Sequence, residues 1–401
     1  MSDIFIARQP IFDANLSVHA YELLFRKSAE NDSENVTDSD LATSNVLMNS
    51  LIDIGLNNLV SQHMAYLNLS ESFLINPDLI VIPSDQAIIE VSKKNIVVDS
   101  FKTTLNELKK RGFTIALEGF TETEEIISVF DCIDIISLDV TQQNQWDIKA
   151  TVEQLKTHKV DLVATKIDTH EEFEFYKKLG IKYFQGAFFA RPELVQGKSI
   201  APKKLSILQL VAKVNNPQIK ISELSEIIST DVSLSHKVFK FINSPISGLR
   251  TTIDSIQQAV TLLGLSTIKN WVTVMALTSN ADKPLELSTT ALIRANICLK
   301  LAQRNELDKP DNYFTVGLFS NLDAMMDQSF ENLMQELPLS NEAKQGLIAH
   351  KGEYGEALEC AIAMENIDFT RLDFMGLDLS EMSELHLESI KWADDLLRTV
   401  H

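Results

Sequence analysis

The stretch from Ile133 to Leu179, IDIISLDVTQQNQWDIKATVEQLKTHKVDLVATKIDTHEEFEFYKKL, decides the fold of the first half of this chain. Two β-branched runs, Ile133 to Leu138 and Leu162 to Ile167, bracket a helical pattern from Asp147 to His158. A second helical pattern, His170 to Leu179, follows the second run. Strand, helix, strand at this spacing is a βαβ unit, and the helix carries the chain back so that the two strands lie parallel. The same alternation extends upstream, with runs at Ala65 to Leu69, Ala87 to Val91 and Thr114 to Leu117 and helical patterns at Ser39 to Gly55 and Asp99 to Arg111. At the start, Ile4 to Ile11 and Val18 to Phe25 flank the turn Asp13-Ala14-Asn15, which predicts an antiparallel hairpin. The predicted class of this half is α/β, with enough strands to close a barrel.

The pattern changes near residue 200. From Arg191-Pro192 to Lys203-Lys204 the chain has turn formers and no periodicity, as in a linker. Beyond it the period is close to 3.6. Ser206 to Asn215, Ile221 to Ser229, Ser233 to Asn243, Ile253 to Leu263, Thr267 to Leu277, Thr289 to Arg304 and Asp311 to Met325 read as amphipathic helices. Asp231 and Asp254 stand where N-caps belong, and Gly264 and Pro284 supply stops. Two domains follow, an α/β domain over residues 1–200 and an all-α domain over 201–401.

Composition narrows the function. The 401 residues carry a formal net charge of −20 and 45% hydrophobic side chains, so cores can form while counterion-releasing basic clusters are scarce. Nucleic acid and anionic membrane are disfavoured as partners. MSDIFIARQPIFD lacks the basic start and apolar core of a signal peptide, and no apolar run reaches the ~18 residues of a membrane helix. Cys132, Cys298 and Cys360 are far apart with no metal-ligand spacing, which predicts free thiols in a reducing cytoplasm.

In a parallel barrel the functional groups stand where strands end. Across the predicted strand ends come Glu22, Asn68, Glu90, Glu118 and Asp139, all oxygen donors of the kind that hold Mg²⁺. Taken singly, each is more readily a salt-bridged or solvated rim residue. Glu22 and Arg26, four apart on one strand face, read most simply as an internal pair.

Glu22-Leu23-Leu24-Phe25-Arg26 resembles the ExLxR signature of EAL domains, the phosphodiesterases that linearise cyclic di-GMP. Tyr66-Leu67-Asn68-Leu69-Ser70 is similar to that family's metal-binding Asn strand, and Ile89-Glu90-Val91-Ser92-Lys93 to its E-[IL]-T-E segment. Lys182-Tyr183-Phe184-Gln185-Gly186 through Ala190-Arg191-Pro192 resembles the closing QGxxxxxP. The resemblance implies metal ligation by Glu22, Asn68, Glu90, Glu118 and Asp139, with Glu22, Arg26 and Gln185 toward the nucleotide.

The departures from that pattern matter more. The family's Asp-Asp-Phe-Gly is Glu118-Gly119-Phe120-Thr121 here, its Lys-x-Asp is Ser137-Leu138-Asp139, and its Glu-Gly-Val-Glu is Thr165-Lys166-Ile167-Asp168. By this resemblance Gly119, Ser137 and Thr165 replace the second metal carboxylate, the lysine beside the attacking water and the general base. Losing one member of a catalytic unit costs on the order of 10³ in rate, and three are gone. A non-catalytic barrel needing no cofactor is expected, with residual Mg or Ca binding alongside cyclic di-GMP as the alternative. The loop Glu122-Thr123-Glu124-Glu125 adds charge that repels such a ligand.

The helical half resembles HDOD, the HD-related output domain. The resemblance rests on Leu224 to Ile228, Asp231 to Leu234, Phe241 to Ser244, Ile256 to Val260 and Leu262-Leu263-Gly264. Where HD enzymes place a His-Asp pair this chain has Gly317-Leu318-Phe319-Ser320-Asn321-Leu322-Asp323, and His236, His350, His386 and His401 have no ligand spacing. Asp323, Asp327 and Glu331 read as a solvated acidic stripe, and Phe239, Phe241, Trp271, Phe314, Phe319 and Trp392 as apolar anchors. The whole resembles the bacterial EAL–HDOD signalling proteins. That implies a cytoplasmic regulator whose HDOD domain engages a protein partner, and a homodimer through the divergent segment Glu118 to Phe130.

Overall fold

The structure, a computed structural model, describes residues 5–26, 51, 54–69, 77–92, 101–120, 124–190, 202–249, 253–278, 283–368 and 377–400. The chain divides into two compact units, Met1–Phe189 with Asp378–Ser383 and Ala190–Leu377 with Glu384–His401.

The first unit is a closed eight-stranded barrel in sequential order. Its strands are β1 (Phe5–Asp13), β2 (Val18–Arg26), β3 (Met64–Asn68), β4 (Ala87–Ser92), β5 (Thr114–Glu118), β6 (Ile135–Asp139), β7 (Asp161–Thr165) and β8 (Tyr183–Phe184). β1 runs antiparallel to both β2 and β8, and the other neighbours are parallel. The hairpin turns as the Asp13-Ala14-Asn15 sequence predicts: Asp13 Oδ1 accepts from the backbone N–H of Asn15 at 2.8 Å and of Ser17 at 2.9 Å. Two residues are too few to register as a hydrophobic run, which is why β8 is invisible to periodicity.

Helices α1 (Leu56–Val60), α2 (Phe101–Lys110), α3 (Glu124–Val129), α4 (Gln145–Leu155) and α5 (His170–Lys178) surround the strands. Phe101, Thr104, Leu105 and Leu108, one face of α2 at helical spacing, are buried. Asn144 caps α4 by accepting from the N–H groups of Trp146 and Asp147, and Thr169 with Glu172 forms a capping box on α5. The helical pattern at Ser39 to Gly55 lies almost wholly outside the described residues.

The second unit is helical throughout its described residues. It contains α6 (Pro202–Val214), α7 (Ile221–Thr230), α8 (Val232–Ile242), α9 (Ile256–Leu263), α10 (Leu265–Thr278), α11 (Leu285–Arg304), α12 (Pro310–Phe319), α13 (Leu322–Met326), α14 (Phe330–Glu336), α15 (Asn341–Ala349), α16 (Gly352–Asn366) and, from Glu384 onward, α17 (Leu379–Val400). From Glu286 to Cys298, α11 is buried on every side, so it is the central helix rather than an amphipathic surface one. Gly317 lets α12 press against it, since a Cβ there would lie 2.6 Å from Ala295 Cα.

Three local readings change. The predicted helix Asp311 to Met325 breaks into α12 and α13 at Ser320 and Asn321. The N-cap of α9 is Ser255, whose side chain accepts from Gln258 N–H, and not Asp254. Asp323, Asp327 and Glu331 share no helix face. Asp323 lies in α13, Asp327 is the left-handed residue after it, and Glu331 opens α14. Asp327 is largely buried between two lysines, bonding Lys204 and, at 2.5 Å, Lys283. Burial pushes the Asp323 carboxyl up to about 6. Asp323 and Asp327 are therefore largely enclosed, while Glu331 is exposed.

All three cysteines are buried and free. Phe241, Phe314 and Phe319 are core, with Phe241 edge-on to Trp271 and Phe314 edge-on to Trp392. No single helix among the described residues is long and apolar enough to cross a membrane.

Candidate functional site

One residue per strand builds the barrel's inner apolar layer: Ile11, Ala20, Tyr66, Ile88, Ala116, Ile135, Val163 and Tyr183. Side chains alternate along a strand, so the residue two positions nearer the barrel mouth shares the same inward face. That step leads to Gln9, Glu22, Asn68, Glu90, Glu118, Ser137, Thr165 and Gln185, every one polar. Five of the predicted site residues, Glu22, Asn68, Glu90, Glu118 and Gln185, belong to this ring, with Ser137 and Thr165 among them. Asp139 stands one step further out on β6, and Gly119 follows β5 with φ 75°. Arg26 ends β2, but its side chain lies outside the described structure, and with it the Glu22–Arg26 pair.

The ring is engaged with itself. The Ser137 hydroxyl donates to Glu90 Oε1 at 2.8 Å, and its oxygen accepts from the Tyr66 hydroxyl at 2.9 Å. Opposite, Gln185 Nε2 donates to Glu22 Oε2 at 2.6 Å and to Gln9 Oε1 at 3.2 Å. Above them Asp139 is held by Lys166 Nζ at 2.7 Å and by the N–H and hydroxyl of Thr141 at 2.9 and 2.6 Å. Lys166 adopts a left-handed backbone, φ 62°, directly after β7.

Electrostatics follow from this geometry. Burial first, then the neighbouring Glu22 and Glu118 charges, push the Glu90 carboxyl up to about 8 against the donated Ser137 bond. Burial also raises Glu22, while the Gln185 bond pulls the other way. Burial acts upward on Asp139 as well, but the Lys166 ammonium and the Thr141 donors outweigh it and hold that carboxyl low. Glu118 is exposed at the rim.

These residues do not fit a divalent cation as they stand. Among the described residues no three His, Cys, Asp or Glu side chains gather closely enough to hold a metal. Burial pushes the Glu90 carboxyl up to about 8 and Glu22 in the same direction, and Asp139 already has an ammonium for a partner.

Sequence reasoning alone missed three participants. Tyr66 was a strand residue, yet it lies two positions before Asn68 on the same face. Gln9 belongs to the antiparallel β1, where the step toward the mouth runs backward. Lys166 could be placed beside Thr165, but its bond to Asp139 spans two strands. In the helical unit, Asn321, in the segment where HD enzymes place His-Asp, is engaged by Arg294 of α11. Its guanidinium forks onto Glu365 at 2.8 and 3.1 Å and donates to Asn321 Oδ1 at 2.9 Å. His350 pairs with Glu359, His386 is buried, and His401 lies outside the described residues.

Known proteins with this pattern cover both units. The EAL domain model matches residues 3–192 and the HDOD domain model residues 202–366. YuxH, an uncharacterized protein of Bacillus subtilis, is 30% identical over 98% of this chain and 99% of its own. The cyclic di-GMP phosphodiesterase CdgJ of Vibrio cholerae is 26% identical over 100% of this chain and 94% of its own. Among solved structures, Klebsiella pneumoniae BlrP1 in a calcium/cy-diGMP complex is 21% identical at a TM-score of 0.38, covering 47% of this chain and 56% of BlrP1. With an EAL model ending at residue 192, an HDOD model beginning at 202 and a relative alike from end to end, this chain belongs to the EAL–HDOD two-domain family.

Proposed function

We propose that this protein is a signal-transduction regulator that does not hydrolyse cyclic di-GMP. Its barrel acts as a sensing or scaffolding module and its HDOD domain engages a protein partner. The observation that carries this reading is the Ser137–Glu90 hydrogen bond, 2.8 Å, at the position where the EAL pattern has a lysine. A serine there supplies no positive charge for an attacking water and instead satisfies the carboxyl that a metal would need. Gly119 offers no second carboxylate and Thr165 no general base, so neither ion binding nor water activation has its usual groups. A homodimer through the segment Glu118 to Phe130 belongs to the same proposal. Ile127, an exposed apolar side chain on α3, supports it, and light scattering of the 45.0 kDa chain tests it.

The second reading, a cyclic di-GMP phosphodiesterase or receptor, is favoured by the whole-length similarity to CdgJ. The discriminating experiment is hydrolysis of cyclic di-GMP by the full chain with Mg²⁺ or Mn²⁺ added. No turnover is expected; a rate near the enzymatic norm of ~10 s⁻¹ overturns the first reading. Calorimetry with the same nucleotide separates receptor from scaffold. Binding that requires a divalent cation and weakens in Glu90→Ala supports a receptor, and no heat at millimolar nucleotide supports a scaffold.

A further inference from the structure

A cavity of about 280 Å³ opens within the helical unit, where the end of α6 meets the first turns of α10, α12 and α15. Its lining carries Lys269 and Asp311, each without an ionic partner among the described residues, and Lys309, exposed at the rim. Lys269, on α10, is half-buried, and its ammonium has one described bond, 3.2 Å to the Asn216 carbonyl. Asp311, in the first turn of α12, accepts one described bond, 3.3 Å from the Asn270 amide. No ion pair joins them, and burial alone disfavours the charged form of each, lowering the Lys269 ammonium and raising the Asp311 carboxyl.

The surroundings hold this arrangement in place. Asn270 is buried, and its carbonyl oxygen accepts from the Thr315 hydroxyl at 3.3 Å. That single hydroxyl proton is shared with the Asp311 backbone carbonyl at 3.0 Å. The amide that orients the Asp311 carboxylate is thus itself fixed on both sides. Leaving a half-buried ammonium and a half-buried carboxylate unpaired in one cavity is costly, and a ligand bearing both complementary charges offsets both costs at once. A dicarboxylate would oppose Asp311 and a diamine would oppose Lys269. The volume equals that of about nine waters, at the small end for ligand sites.

We propose that this cavity is a receptor site for a free α-amino acid, with the ligand carboxylate on Lys269 and its ammonium on Asp311. The site is remote in kind from the barrel ring, needs no metal, and would make the HDOD unit responsive to a zwitterionic metabolite.

The test uses the full chain. Each free proteinogenic amino acid is added at millimolar concentration and the thermal unfolding midpoint recorded, and any that raises it is titrated by calorimetry. At least one is expected to bind with a stoichiometry of one. Its affinity should fall at least about tenfold in Lys269→Met and in Asp311→Asn, the loss expected for a charge-assisted hydrogen bond. Its Nα-acetyl derivative and its carboxamide should each lose binding to the same degree. Ser266→Trp fills the cavity from its exposed rim and should abolish binding even if the charge variants fail to fold. The proposal is overturned if no amino acid shifts the midpoint, or if the shift survives in Ser266→Trp. Cyclic di-GMP hydrolysis and binding, measured on the same samples, report on the barrel independently.

Discussion

Ser137 on β6 reaches across the barrel mouth to Glu90 on β4, and the hydroxyl of one satisfies the carboxyl of the other at 2.8 Å. With Tyr66 donating into Ser137 at 2.9 Å, three buried polar groups form a closed relay. Burial and the neighbouring Glu22 and Glu118 charges favour a neutral Glu90 against the bond that Ser137 donates.

Removing the middle of this relay should be felt as a fold defect. Ser137→Ala removes the Tyr66–Ser137 bond and the bond that Ser137 donates to Glu90, both in a buried layer. A loss of ~1–3 kcal/mol is expected in denaturant unfolding, because an unsatisfied buried group costs its full desolvation. An unchanged midpoint would mean that water already serves this layer.

Stability should fall with rising pH through Glu90. Its folded-state pKa is raised to about 8 from 4.5, so between those values the folded chain holds a proton that the unfolded chain has released. Stability is therefore full below about 4.5, declines through about 8 and levels above it, and Glu22 acts in the same direction. Glu90→Gln should flatten this slope and stabilise the protein at alkaline pH by on the order of a few kcal/mol. Urea unfolding of both proteins at successive pH values measures it, and parallel slopes would reject the assignment.

Gly186 should tolerate no side chain. Its φ is 150°, and a Cβ would overlap the Ile167 backbone. Gly186→Ala is expected to cost ~3 kcal/mol or more. Gly317→Ala, where the clash is with Ala295 on the neighbouring helix at 2.6 Å, should cost ~1–3 kcal/mol by forcing α11 and α12 apart. Thermal unfolding of the two variants checks the order.

Asp327→Asn should be strongly destabilising. It strands the Lys204 and Lys283 ammonium groups, whose side chains are 11% and 8% exposed. Removing one partner from a buried ionic cluster costs ~3–5 kcal/mol. A solvated acidic stripe, by contrast, would lose almost nothing, so one unfolding curve decides between the two descriptions.

What the sequence alone determined was the part governed by local period. The β-branched runs and their helices predicted the strand–helix alternation of the barrel. The Asp13-Ala14-Asn15 turn predicted the antiparallel start, and the 3.6 period the helical second half. The alternation of strand residues was enough to place Glu22, Asn68, Glu90 and Glu118 at strand ends facing one way, because side-chain direction along a strand is a nearest-neighbour property. Where the local signal is brief, as in the two residues of β8, or where a helix is buried on all sides, as in α11, the period carries little information.

Which of those groups bind one another was decided only in three dimensions. Glu90 and Ser137 are 47 residues apart, and Glu22 and Gln185 are 163 apart. Lys204 and Asp327 are separated by 123, and Asn270 and Asp311 by 41. A charged residue reads the same in the sequence whether it ends up solvated or enclosed. Its burial, its partner and the direction of its pKa all come from side chains that barrel closure or helix packing delivers from elsewhere. A ring of oxygen donors was therefore legible from the strand ends, whereas its self-engagement, and the unpaired charges of the helical cavity, required the packed fold.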